Sequence, residues 1–276
     1  MPQLEERAAA LDAGPAPLLT RVLVVLRAAA HGQLLGVEHV AALIDAFVDD
    51  SVRLRLQDAA GTCELRLLRR ISSRADTTPD DVHAAMCVAA NRGYLDVIQS
   101  IHVMMPSTMA VSVYVMDNAA RRGFLDIVKW LHEHRDEGCT TKAMDAAAGR
   151  GHLDVVKYLH NNRAEGCTKA AMDVAAARGY LQVVKWLSEN RTEGCTTDAM
   201  DMAARSGHLD VLRWLHEHRS EGCTVEAMNA AAREGYLHVV RWLFNNRREN
   251  NPAYAYKLAA LHGRNDIVKW IRKRIK

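Results

Sequence analysis

Residues 143–168 read AMDAAAGRGHLDVVKYLHNNRAEGCT, and residues 199–224 read AMDMAARSGHLDVLRWLHEHRSEGCT. The two stretches are variants of one block. Its glycine recurs at Gly123, Gly151, Gly179, Gly207, Gly235 and Gly263, 28 residues apart each time. Self-similarity at a fixed period of this size marks a stack of small units, each burying its apolar face only against its neighbours. The period therefore predicts an elongated all-α solenoid rather than a single globular core.

Two helices fit inside the block. The first begins at a threonine (Thr140, Thr168, Thr196, Thr224), a good N-cap because its hydroxyl accepts from an unpaired N–H of the first turn. A cysteine precedes each (Cys139, Cys167, Cys195, Cys223) and a methionine follows the cysteine by five (Met144, Met172, Met200, Met228). That is the spacing of a hydrophobic staple, in which an apolar residue before the cap packs on the fourth helical residue. Equivalent atoms in stacked helix pairs lie about 10 Å apart, and a disulfide needs Cα atoms within about 7 Å. The cysteine ladder is thus unsuited to sequential disulfides, and one ligand per repeat does not make a zinc site. Gly151 and its equivalents end the first helix in a left-handed cap. The second helix follows at once, with Leu153, Val156 and Leu159 at helical spacing and an aromatic at 130, 158, 186, 214, 242 and 270. The aromatic stripe reads as packing between repeats. A short polar loop, such as RAEG or RTEG, closes the unit.

Less regular copies extend the array. MCVAANRG (86–93) and MDNAARRG (116–123) fit the template, and Asn251-Pro252 opens the last copy as an N-cap followed by proline at the first helical position. LQDAAGTCELRLLRRI (56–71) aligns if Cys63 takes the glycine place. The expected organisation is a flexible tail at 1–16, a helical cap at 17–50 covering the open end of the stack, and an array of about eight repeats at 51–276.

Composition narrows the function. A formal charge of +3 over 276 residues is too small to imply a polyanion partner, so no nucleic acid is expected. The opening MPQLEERAAA does not resemble a secretory signal. Val22 to Leu26, bounded by Arg21 and Arg27, is too short to span a bilayer. The expected setting is the cytoplasm, with the nucleus as the second choice, no membrane association and a monomeric state. No catalytic constellation emerges. His132-Glu133-His134 and His216-Glu217-His218 lack the H-E-x-x-H spacing that turns two imidazoles to one helix face. His152 and His208 follow the turn glycine where other copies have Tyr or Phe, which assigns them to packing or capping. There is no glycine-rich phosphate loop and no Gly-x-Ser-x-Gly. No enzyme activity, cofactor or metal is expected. The C-terminal KWIRKRIK carries its cations where the helix dipole favours them.

The recurring AAxxGHLDVVKWL pattern resembles the helix–turn–helix of ankyrin repeats, over about four fifths of the chain. Two features depart from that family. The usual ankyrin unit is about 33 residues long and opens T-P-L-H. This chain has A-M-D where P-L-H would stand, and its shorter period leaves no room for the full β-turn finger. It is similar to a short ankyrin variant. The resemblance implies a curved, non-catalytic solenoid that binds other proteins through its concave side.

With Met144 turned to the core, a step of about 100° per residue places Lys142, Asp145, Ala146, Gly149 and Arg150 on the opposite face. The same construction selects Tyr114, Asp117, Asn118, Arg121 and Arg122; Ala170, Asp173, Val174, Ala177 and Arg178; Asp198, Asp201, Met202, Arg205 and Ser206; and Glu226, Asn229, Ala230, Arg233 and Glu234. The candidate protein-binding strip is Arg92, Tyr114, Arg121, Arg122, Arg150, Val174, Arg178, Met202, Arg205 and Arg233, because arginine recurs just before the glycine and anchors many protein interfaces. A competing account pairs Asp117 with Arg121 and Asp201 with Arg205 along their own helices. The Asp ladder can equally bond to the adjacent repeat. On the second helix, Asp126–Lys129, Asp154–Lys157, Asp210–Arg213 and Asp266–Lys269 read as a solvated convex surface. An alternative function is substrate adaptor for ubiquitin ligation. It rests on VEHVAALIDAFVDDSVRLRL (37–56), whose Ile44-x-x-Phe47-Val48-x-Asp50 run is similar to an F-box.

Overall fold

The computed structural model describes Gln57, Ala60, Gly61, residues 78–104 and residues 112–275. The expected tail (1–16), helical cap (17–50) and F-box-like stretch (37–56) lie outside the described residues, as does most of the unit beginning at Ser51. Among the described residues there are fourteen helices in seven pairs and no strand. The pairs are α1 (Pro79–Arg92) with α2 (Leu95–Met104), α3 (Tyr114–Arg122) with α4 (Leu125–His134), and α5 (Thr141–Ala148) with α6 (Leu153–Asn162). They continue as α7 (Lys169–Ala177) with α8 (Leu181–Asn190), and α9 (Asp198–Ser206) with α10 (Leu209–His218). The last two are α11 (Val225–Glu234) with α12 (Leu237–Asn246), and α13 (Pro252–Leu261) with α14 (Asn265–Arg272). No helix among the described residues is long and apolar enough to cross a membrane.

Local chemistry fixes each boundary. The hydroxyls of Thr140, Thr168, Thr196 and Thr224 accept from the backbone N–H two residues on, at 3.1–3.2 Å. Thr78 and Asp81 form a capping box at α1. Asn251 caps α13, with Pro252 in the first turn where a missing N–H has no consequence. Between the helices of a pair the chain turns through a glycine in the left-handed region, as at Gly151 with φ +82°. A second constraint acts on that glycine. A Cβ there would lie 2.8 Å from the Tyr180 ring of the following repeat. Phe124, His152, His208 and Tyr236 cover Gly93, Gly123, Gly179 and Gly207 in the same way. The histidines after the turn glycine are therefore packing groups, interchangeable with tyrosine and phenylalanine.

The core is one continuous cluster. Alanine pairs such as Ala147/Ala148 and Ala175/Ala176 share it with Met144, Met172, Met200 and Met228 and with Val156, Leu159, Val184 and Leu187 of the second helices. The four staple cysteines are buried in it and unpaired, and burial is the first reason their thiols are raised, to about 12 at Cys139 and Cys195 and about 11 at Cys167 and Cys223. A thiol so far from ionisation is an apolar packing group. Truncating one of the fully buried Met or Leu side chains would cost about 2–5 kcal/mol.

The two helix types pack against their neighbours differently. First helices meet through alanine and glycine and contact their neighbours extensively, whereas second helices touch only sparsely. Between the second helices stand larger groups. His102 meets Trp130 edge-on at 5.2 Å, and His132–Tyr158, His160–Trp186, His216–Trp242 and Phe244–Trp270 repeat the contact at 5.1–6.0 Å. The aromatic stripe is thus inter-repeat packing. Small residues between the first helices and rings between the second favour curvature toward the first helices, which makes their exposed face the inner one.

Candidate protein-binding strip

Three ladders of polar contacts join successive repeats, and they determine which surface groups remain available. In the first, a carboxylate of one first helix holds the N-cap threonine of the next. Asp117 accepts from the Thr140 N–H at 2.8 Å and from its hydroxyl at 2.7 Å. Asp145 does the same for Thr168, Asp173 for Thr196 and Asp201 for Thr224, all at 2.6–2.9 Å. Burial raises these four carboxyls, and the threonine hydrogen bonds oppose the rise. The Asp ladder bonds to the adjacent repeat. Among the described residues no ion pair joins Asp117 to Arg121 or Asp201 to Arg205.

The second ladder lies in the loops. Arg163 donates to Glu165 through Nε at 3.2 Å and through Nη2, while Glu165 Oε1 accepts from the Cys139 N–H of the preceding loop at 3.2 Å. Arg163 Nη1 also reaches His132 Nδ1 at 3.5 Å. Arg135–Glu137, Arg191–Glu193, Arg219–Glu221 and Arg247–Glu249 repeat the ion pair. The Arg163 hydrogen bond holds the Glu165 carboxyl down at about 2, and Arg219 does the same for Glu221. Reading these segments as merely polar loops missed this ladder. The available signal was an Arg-x-Glu run recurring at 135–137, 163–165, 191–193, 219–221 and 247–249. The third ladder runs from the arginine before the turn glycine to a carbonyl one repeat back. Arg178 Nη1 donates to Gly149 O at 2.7 Å, and Arg92 Nη1 to Gly61 O.

What remains forms the strip. Tyr114 is half exposed, with Lys142 Nζ 5.9 Å from its ring centre. Arg122 and Arg205 are exposed and Arg150 is partly so, and none of the three side chains makes a hydrogen bond or ion pair with another described residue. Met202 is 40% exposed and Val174 is partly exposed. The other nominated arginines have internal partners. Arg92 and Arg178 hold the carbonyls just named, Arg121 donates to Asn91 and Asn118 at 2.7 and 3.0 Å, and Arg233 pairs with Glu234 at 3.3 Å. The helical-wheel construction needs correction at five places. Asp117, Asp173, Asn229, Ala230 and Gly149 are buried, because adjacent first helices approach closely enough to cover the flank of the predicted face. Val174, for example, would stand 2.7 Å from a Cβ at Gly149.

The convex side differs in kind. Asp126, Lys129, Asp154, Lys157, Asp210, Arg213, Asp266 and Lys269 are all exposed, as a solvated surface requires, and among the described residues no ion pair joins them. Of the large exposed apolar side chains, Tyr114, Met202, Val225, Tyr254 and Leu261 stand on first helices. At the C-terminal end, Arg274 stacks on Trp270 at 3.9 Å and donates to the Trp270 carbonyl, which accounts for part of the basic run. No group of three or more His, Cys, Asp or Glu suited to a metal ion occurs among the described residues.

Comparison with known proteins agrees with this geometry. A family model described as ankyrin repeats (3 copies) matches residues 116–201, and one described as ankyrin repeats (many copies) matches residues 200–244. No curated protein matches the chain. With paired helices, glycine-pinned turns and both matches, residues 116–244 belong to the ankyrin repeat family, whose members are typically non-catalytic protein-binding modules.

Proposed function

We propose that this protein is a non-catalytic interaction scaffold that binds a protein partner through the inner, first-helix face. One observation carries the reading. Five of the eight large exposed apolar side chains among the described residues stand on first helices, beside Arg122, Arg150 and Arg205, while the convex side offers mainly separated, solvated charges. An interface core needs apolar anchors, and arginine beside them supplies directional hydrogen bonds to a partner's carboxylates. The functional strip centres on Arg122, Arg150, Arg205, Tyr114, Val174 and Met202. The remaining nominated arginines support it from below.

The test compares wild type with an Arg122→Glu/Arg150→Glu/Arg205→Glu variant in affinity capture from native lysate, identified by mass spectrometry. None of the three arginine side chains has a partner among the described residues, so an unchanged melting temperature is expected. A protein captured by wild type and lost by the variant supports the reading. Partners retained by the variant would refute it and redirect attention to the convex face.

A further inference from the structure

The inner face carries three rows of side chains, each with one member per repeat. The row near the helix N-termini reads Tyr114, Lys142, Ala170, Asp198, Glu226, Tyr254. The row at the C-termini reads Arg122, Arg150, Arg178, Ser206, Glu234, His262. Both rows change sign between α7 and α9. Over α3, α5 and α7 with their turns, six cations stand against Asp117, Asp145 and Asp173, and those carboxylates are turned into the threonine caps. Over α9 and α11, Asp198, Glu226 and Glu234, with Asp201 turned into the Thr224 cap, stand against Arg205 and Arg233. Between the charged rows runs a third that is apolar from Ala146 to Leu258, with Val174 and Met202 accessible where the sign changes.

Adjacent first helices in such a stack lie about 8–10 Å apart, so the two charged halves are centred roughly 25 Å from each other. That separation exceeds the ~8 Å screening length at physiological ionic strength. Each half therefore presents its own sign to a ligand. We propose that the inner face is directional: it takes a partner segment with acidic residues over α3–α7, basic residues over α9–α11, and an apolar seam over Val174 and Met202. Charge complementarity sets the orientation and the apolar row supplies the contact area. The proposal rests on the binding reading above and adds the chemistry of the partner.

A phage-displayed library of random 20-residue peptides, selected on the purified full chain, tests it. Two sign-inverted variants are compared with wild type: Arg122→Glu/Arg150→Glu and Asp198→Lys/Glu234→Lys, each checked for an unchanged thermal melt. Wild type is expected to select peptides with acidic residues toward one end, Lys or Arg toward the other and apolar residues between. Their affinity should fall about tenfold or more in both variants. Peptides that lose affinity in the variants but show no sorting of charge overturn directionality and leave the inner-face reading standing. Peptides unaffected by either variant overturn both readings. Failure to enrich any peptide also overturns the proposal.

Discussion

The interior joints of the array and its last joint are built on the same 28-residue register but do not use the same chemistry. At each joint from α3 to α11 an aspartate accepts from the N–H and the hydroxyl of a threonine. At the last joint the aspartate position holds Asn229 and the threonine position holds Pro252, which has neither N–H nor hydroxyl. A carboxylate at 229 would be buried without a donor. Asparagine avoids that charge, and its Oδ1 is left buried without a partner. The turn glycines differ as well. Gly151 is roofed by Tyr180, but no described atom lies within 4 Å of where a Cβ on Gly263 would stand. The ring over each turn glycine comes from the repeat that follows, and among the described residues none fills that seat at Gly263.

The largest difference between the two regions is expected at the glycines. Gly151→Ala should cost about 1–2 kcal/mol for the left-handed backbone and a further ~1–3 kcal/mol for displacing the Tyr180 ring. Gly263→Ala should show only the backbone part. Urea unfolding of both variants checks this, and equal losses would break the distinction. Next in size, Asp173→Ala removes the acceptor for two Thr196 donors and should destabilise by about 2–3 kcal/mol, against a near-neutral Asn229→Ala. A finer measurement is a double-mutant cycle of Asn229→Asp with Pro252→Thr. Asn229→Asp alone should destabilise at neutral pH, and the pair together should recover about 1–3 kcal/mol of coupling. Additivity would show that the aspartate–threonine contact does not transfer to the last joint.

The smallest effect concerns acid. Hydrogen bonds from Arg163 and Arg219 hold Glu165 and Glu221 at about 2 when folded, against roughly 4.3 in an unfolded chain. Their contribution is present above pH ~4.3 and is lost as pH falls through that interval toward 2. The buried aspartates act in the opposite sense. Their folded values are raised, so acidification through their range removes a cost. Glu165→Gln/Glu221→Gln should therefore flatten the loss of urea midpoint between pH 5 and pH 3. Each partly exposed pair is worth about 1 kcal/mol or less. An unchanged acid limb would show that the loop ladder does not stabilise the stack.

The repeat register, the capping threonines, the staple cysteines and the aromatic stripe were legible in the sequence because each expresses a rule acting over a few residues. The polar ladders were not. Asp117 and Thr140 are 23 residues apart, and Cys139 and Glu165 are 26 apart. Periodicity reports that such residues recur without reporting which partner the stacking brings to them. The helical wheel failed for a related reason. It describes one helix alone, whereas Asp173 and Gly149 are buried by the next one. Of the nominated arginines, sequence could not separate Arg150, which has no internal partner, from Arg178, which is tied to a carbonyl. That distinction depends on a side-chain conformation and not on position in the repeat.

The ring seated on the preceding glycine also has a genetic meaning. His152, Tyr180, His208 and Tyr236 occupy equivalent seats, so each interior unit ends in the same socket and begins with an equivalent plug. Unequal recombination in whole units would leave every joint matched, whereas a breakpoint shifted by a few bases or codons would misplace a glycine, a ring and a threonine together. Duplicating residues 151–178 in tandem should give a longer array that melts no lower than the parent. Duplicating the unit that carries Pro252 should not, because it copies a joint that lacks the aspartate–threonine link. On this reading, units joined through the aspartate–threonine link can be gained or lost whole over evolutionary time.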